Sequence, residues 1–210
     1  MTEEEARAAL DVPRETLLRL DAFAALLREE NQRQNLVSRA SLDHLWARHI
    51  FDSAQLLRVA ARDARTWLDL GTGAGFPGLI VGLLHPARTT MVEARRLRVE
   101  FLTRAAALLG ISDKVEIVCG KVEGLAARPF DVISARAFAP LDTLLGVGAR
   151  FSTPETVWVL PKGRNAKTEL EAARASWQGD FRLEQSLTDA DAGILVATGV
   201  HRRAKGKRSR

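Results

Sequence analysis

One cysteine among 210 residues, Cys119, excludes an internal disulfide framework and any multi-cysteine metal site. His44, His85 and His201 have no spacing that suggests a metal site, so no metal is expected. No apolar run approaches the roughly 20 residues that span a bilayer. The first residues, MTEEEARAAL, are acidic and polar, unlike a secretory leader. The expectation is a cytoplasmic protein with no membrane partner. Most of the chain also lacks an excess of positive charge. Six of its 31 basic residues lie in the last ten, HRRAKGKRSR, so residues 1–200 hold 25 against 26 acidic ones, a net −1. The overall +5 therefore sits in the tail. A basic run of this kind suits nucleic-acid phosphates, whose neutralisation releases counterions, although a solvated terminus has the same composition.

What is present is enough for a core. Apolar residues make up 46% of the chain, and its length suits one α/β domain with a modest extension. Residues 1–60 read as helical. Thr2 and Glu5 have capping-box spacing, Pro13 can open a helix, and Leu17, Leu20, Phe23 and Leu27 recur at helical intervals. Ser41 is placed to cap a further helix carrying Leu42, Leu45, Trp46 and Ile50. From Thr66 the texture changes. Strands are expected at 66–70, 89–92, 115–119, 130–134, 156–160, about 181–187 and 194–200. Helices are expected near 77–84, 95–109, 122–127, 140–150 and 166–177. This alternation predicts a largely parallel sheet covered on both faces, closed by an antiparallel hairpin. The chain thus divides into a helical extension (1–60), an α/β domain (61–200) and a basic tail (201–210).

The chemistry centres on Asp69-Leu70-Gly71-Thr72-Gly73-Ala74-Gly75-Phe76-Pro77-Gly78, where the first strand hands over to a helix. Glycines there let the backbone turn sharply and approach a ligand closely. Glu93, 20 residues after Gly73, ends the second strand, where an acid accepts hydrogen bonds from ribose hydroxyls. Gly73, Gly75 and Gly78 also satisfy the dinucleotide-binding pattern, so a nicotinamide-dependent oxidoreductase is a rival. Asp69 would repel a pyrophosphate but suit the ammonium and sulfonium charges of S-adenosyl-L-methionine. Phe76 and Pro77 crowd the place where a pyrophosphate would meet the helix.

Further absences narrow the chemistry. There is no Pro-Pro pair, hence no Asp/Asn-Pro-Pro-aromatic motif of the kind that accompanies methylation of exocyclic amines. Methylation of pyrimidine C5 needs a thiolate, and Cys119 reads as a small core residue. Guanine N7 needs no proton removed, so catalysis there can rest on positioning and desolvation.

Five segments together resemble the 16S ribosomal RNA (guanine-N7) methyltransferase G family, also called glucose-inhibited division protein B. They are Asn35-Leu36-Val37-Ser38, Arg48-His49-Ile50-Phe51-Asp52-Ser53, the glycine loop, Ser134-Ala135-Arg136-Ala137-Phe138-Ala139, and Pro161-Lys162-Gly163. The resemblance implies a Rossmann-like seven-stranded methyltransferase sheet and transfer from S-adenosyl-L-methionine to N7 of a guanosine in small-subunit ribosomal RNA. The substrate is then the RNA or the small ribosomal subunit, and a monomer is expected. The resemblance places Gly71, Phe76, Val122, Glu123 and Arg136 at the cofactor, with Val122 and Glu123 at its adenine, and joins them to Gly73, Gly75 and Glu93, assigned there on the loop's glycines and the acid ending the second strand. Arg136 is the candidate catalytic residue, holding the guanine or a flanking phosphate through its planar donor fork. Lys162 and His49 are candidate RNA contacts. For Lys162 the plain alternative is a solvated lysine. For His49 it is a local hydrogen bond to Asp52, three residues on. Trp46, Trp67, Trp158 and Trp177 read as core. A small-molecule methyltransferase and an RNA-binding assembly factor without catalysis are the other rivals.

Overall fold

The computed structural model of the chain describes residues 1–204. The extension opens with α1 (Glu3–Ala9), whose first turn is closed by the expected capping box: Glu5 N–H donates to Thr2 Oγ1, and Thr2 N–H to the Glu5 carboxylate. In α2 (Arg14–Glu30) the periodic residues Leu20, Phe23 and Leu27 are buried. The Asn31 side chain then turns the chain, its oxygen accepting from the N–H of both Leu36 and Val37.

The helix expected after Ser41 forms in pieces rather than as one regular helix. Ser38 is the cap, accepting from Ser41 N–H, and α3 (Arg39–Leu42) is a single turn. A π-helical segment, Trp46–Phe51, follows and runs into α4 (Asp52–Ala54). Glu3 of α1 explains part of this. Its two carboxylate oxygens accept from the N–H groups of Trp46 and Ala47 at 3.1 and 2.9 Å, capping the segment from another element. The wider π turn lets Trp46, Ala47, His49, Ile50 and Phe51 all be buried.

The α/β part consists of β1 (Thr66–Leu70), α5 (Gly78–Leu84), β2 (Arg88–Glu93), α6 (Arg96–Leu109), β3 (Val115–Cys119), β4 (Val132–Ser134), α7 (Leu141–Gly148), β5 (Val157–Lys162), α8 (Ala166–Ala173), β6 (Trp177–Gln185) and β7 (Gly193–Arg202). The sheet order is β3-β2-β1-β4-β5-β7-β6. The first five strands run parallel, and β7 lies antiparallel to both β5 and β6. Strand order reverses between β1 and β4. Ligands in such sheets bind beyond the carboxyl ends at that switch.

Several expectations are corrected. The helix near 122–127 is only a 3-10 turn, Val122–Gly124, ahead of Pro129. The helix expected to 177 stops at Ala173, and Trp177 instead opens β6, where burial of its ring and a 2.8 Å bond from Nε1 to Asp142 hold it. Cys119 is exposed rather than core, because β3 is the edge strand. The tail expected from 201 begins inside the sheet, since β7 runs to Arg202 and the Arg202 guanidinium lies 4.9 Å from the Trp177 ring centre. Residues 205–210, the rest of that tail, lie outside the described residues.

All four tryptophans are buried, as expected. The extension shares its core with the sheet's helical cover: Phe23 of α2 packs 5.6 Å from Phe76 and 6.4 Å from Phe101 of α6. Buried Glu30 ties the same two helices by pairing with Arg104. The extension therefore packs against the α/β part and forms one wall of the cleft described next.

Candidate active site

β1 ends in the glycine loop. Gly71, Gly73 and Gly75 have φ of 65°, 60° and 92°, a left-handed region that costs glycine nothing. At Gly78 space is the requirement: a Cβ would lie 2.8 Å from both Asp69 Oδ2 and Met91 Cγ, so only glycine lets α5 sit this close to the sheet. Asp69 does not face a ligand, contrary to the charge argument from sequence. It is fully buried and spent on its own loop, accepting from Gly78 N–H at 3.0 Å and from Ser134 Oγ at 2.7 Å. Ser134 in turn accepts from Trp67 Nε1 at 2.8 Å. Burial pushes the Asp69 carboxyl up, against the hydrogen bonds that favour its charge.

Beside β1, Glu93 at the end of β2 reaches the loop. One carboxylate oxygen accepts from Gly73 N–H at 3.1 Å and the other from Arg95 N–H at 2.8 Å. Arg98 lies 3.7 Å away and also donates to the Asn35 carbonyl of the extension. One strand further, the Val122–Gly124 turn follows β3. Its carbonyls are clamped from below: Arg150 donates to Glu123 O at 3.0 Å and to Leu125 O at 2.6 Å. Val122 is buried and Glu123 exposed. Gly73, Glu93 and Val122–Glu123 thus line up across β1, β2 and β3 in sheet order. Neither Arg98 nor Arg150 was found by sequence reasoning. Arg98 follows Glu93 by five residues at a helix start, a weak signal, and Arg150 gives none.

On the other side of the switch lies a cleft of about 1210 Å³. Its walls come from the extension, the loop after β4, the end of β5 and the β6–β7 connection, with Arg48, Asp52, Arg136, Phe138, Lys162 and Thr188 among them. Arg136 donates to the Arg48 carbonyl at 3.1 Å, lies 3.9 Å from Asp52, and stands over the Phe76 ring at 5.1 Å. Asp52 accepts from Thr188 Oγ1 and Gln55 Nε2, both at 2.8 Å. Burial pushes the Asp52 carboxyl up, opposed by Thr188, Arg136 and Gln55.

Three expected contacts stand differently in this geometry. Phe76 is 2% exposed and its ring packs between Phe23 and His49, so only its backbone is left to the loop surface. Lys162 is neither solvated nor free: its ammonium lies 2.8 Å from Glu169. His49 is 8% exposed, stacked on Phe76 at 5.0 Å, and does not bond to Asp52. The i, i+3 argument assumed a regular helix, whereas the segment that carries His49 is π-helical.

Neither ring nitrogen of His49 has a partner among the described residues. Burial, with Arg136 and Arg48 adding repulsion, pushes its pKa down to about 3. The unfolded chain protonates this imidazole near the ordinary value of about 6.5 while the folded protein does not. Stability is therefore lost as pH falls below that value, down to the folded pKa of about 3. At pH 5 the cost is about 2 kcal/mol. Chemical denaturation at pH 7.5 and 5.0 should show His49→Phe losing less stability than the parent by that amount. Equal losses would refute this account of His49.

The geometry has clear relatives. A family model described as rRNA small subunit methyltransferase G matches residues 17–194. The ribosomal RNA small subunit methyltransferase G of Rhizorhabdus wittichii is 50% identical, over 100% of this chain and 99% of the relative. That of Zymomonas mobilis is 49% identical, over 96% of each. Among solved structures, the O-methyltransferase from Bacillus cereus in complex with SAH superposes with a TM-score of 0.61 at 15% identity, covering 91% of this chain and 94% of that one. The O-methyltransferase TomG from Streptomyces achromogenes, in complex with SAM, gives 0.60 at 16%, covering 91% and 93%. These structures share the fold. The sequence relatives and the family match show more: this chain belongs to the rRNA small subunit methyltransferase G family.

Proposed function

We propose that this chain transfers the methyl group of S-adenosyl-L-methionine to N7 of a guanosine in 16S, small-subunit ribosomal RNA. The observation that carries the reading is the placement of the glycine loop and Glu93 beside an arginine-bearing cleft at the strand-order switch, in a chain half identical to named small-subunit RNA methyltransferases.

The residues fit the cofactor. Gly73 holds a left-handed φ of 60°, and a Cβ there would already be in van der Waals contact with Arg98 Nη1 at 3.7 Å, so glycine suits a loop that a ligand approaches closely. Each Glu93 oxygen accepts one backbone N–H, which leaves lone pairs for two ribose hydroxyls. Val122 and Glu123, in line with them, suit the adenine. When bound, the cofactor supplies an electrophilic methyl group on a sulfonium.

The protein's share is orientation and exclusion of water. Guanine N7 offers an in-plane lone pair and carries no proton, so no general base is needed. Two titratable groups of the cleft wall are placed for other roles. The His49 nitrogens are buried, and the Asp52 carboxylate is engaged by Thr188 and Gln55. Arg136, fixed by the Arg48 carbonyl and Asp52, presents its donor fork to guanine O6 or to a flanking phosphate. A guanine within folded RNA must be splayed from its stack to enter.

The test uses small ribosomal subunits from a strain lacking the gene. Incubation with the protein and S-adenosylmethionine should yield new 7-methylguanosine by mass spectrometry of the digested RNA, and Gly73→Asp should abolish it. If cofactor binds and guanosine stays unmodified on subunits and on naked RNA alike, the assignment of N7 fails.

A further inference from the structure

The segment after β4 sends two neighbouring side chains in different directions. Arg136 turns to Phe76 and Asp52. Phe138 turns back onto the glycine loop, where a Cβ added to Gly71 would collide with its ring. Between them Ala137 has φ 50°, a left-handed conformation that a non-glycine residue holds only when its surroundings impose it. Phe138 also lines the 1210 Å³ cleft. It therefore stands at the junction, touching the cofactor loop on one side and bounding the cleft on the other.

No other phenylalanine, tryptophan or tyrosine lines this cleft among the described residues. The chain contains no tyrosine at all, and its four tryptophans are buried in the core. The Phe138 ring is half-buried, and no other aromatic ring is paired with it among the described residues. A base drawn out of an RNA stack loses its neighbours, and an aromatic face in the receiving site replaces them.

We propose that Phe138 is the platform on which the target guanine stacks, holding N7 toward the glycine loop while Arg136 binds the base edge or a flanking phosphate. The inference rests on the function proposed above. Phe138 is thus a positioning residue for the acceptor, set against Gly71 of the cofactor loop.

The experiment compares full-length Phe138→Ala, Phe138→Leu and Phe138→Trp on small subunits lacking the modification. It reads kcat/KM for subunits at saturating cofactor, S-adenosylmethionine Kd by calorimetry, and Tm. Alanine and leucine should each lower kcat/KM roughly 10- to 100-fold, the effect of removing one base–aromatic stack. Tryptophan should stay within about threefold of the parent, since it restores a π-face. Cofactor Kd should not change in any of them. Should Phe138→Ala fail to fold, the leucine and tryptophan pair still decides. Leucine as active as the parent would overturn the platform, because bulk alone would then suffice. So would a weakened cofactor Kd with the full rate restored at saturation, which would make Phe138 a wall of the cofactor site. A parent protein that forms no 7-methylguanosine would overturn the proposed function, and this inference with it.

Discussion

Asp69→Ala should cost about 3 kcal/mol of folding stability and, with it, the shape of the cofactor loop. The aspartate accepts from Gly78 N–H at the start of α5 and from Ser134 Oγ in β4. Alanine leaves both donors buried and unpaired, each at a cost of about 1–3 kcal/mol. Relief of a carboxylate that burial already disfavours offsets part of that cost. Asp69→Asn should fare better. Its carbonyl can still serve Gly78 N–H, and its amide can donate to Ser134 Oγ. Urea denaturation separates the two variants. Alanine should move the midpoint down at unchanged m-value, with asparagine in between. An unchanged midpoint for Asp69→Ala would show that this network does not brace the loop.

Asp69 also marks where sequence reading ends. Its position just before the glycines was legible, and so was the loop, because glycine spacing and the acid after the next strand are local signals at fixed offsets. The direction of its side chain was not. In a parallel sheet covered on both faces, neighbouring strand positions are all buried, and alternation no longer tells which one faces a ligand. Ser134, the partner that decides the matter, lies 65 residues away. The same limit applies at the cleft. Arg136 was legible at a strand end, but the Arg48 carbonyl that orients it is 88 residues distant. The local bond expected between His49 and Asp52 does not form, because their spacing was judged on a regular helix, whereas Glu3 of another element caps a π segment there. Cys119 was misread because strand order, not strand sequence, puts β3 at the edge. Elements follow from local patterns. The partners of charged side chains follow from topology.

Glu93→Gln should weaken S-adenosylmethionine binding by about 100-fold, a large effect for replacing one oxygen by nitrogen. The carboxylate faces donors only. Gly73 N–H meets one oxygen and Arg95 N–H the other, with Arg98 3.7 Å away. An amide satisfies one of these N–H groups and sets its own NH₂ against the second, so the loop loses an anchor whichever way it turns. With the ribose placed on Glu93 as proposed, its hydroxyls lose more, since hydrogen bonds to a charged acceptor are roughly twice as strong as those to a neutral one. Two such bonds weakened by about 1.4 kcal/mol each give the 100-fold change. Arg98→Ala should cost far less. Its contact with Glu93 is long, and the two backbone donors still hold the carboxylate in place. Calorimetric titration of both variants, with Tm as the control for folding, tests the ranking. A Glu93→Gln variant that binds the cofactor within a few-fold of the parent would move the ribose away from β2. Equal losses for the two variants would instead assign the effect to the Glu93–Arg98 pair rather than to the carboxylate's bonds with the two backbone N–H groups.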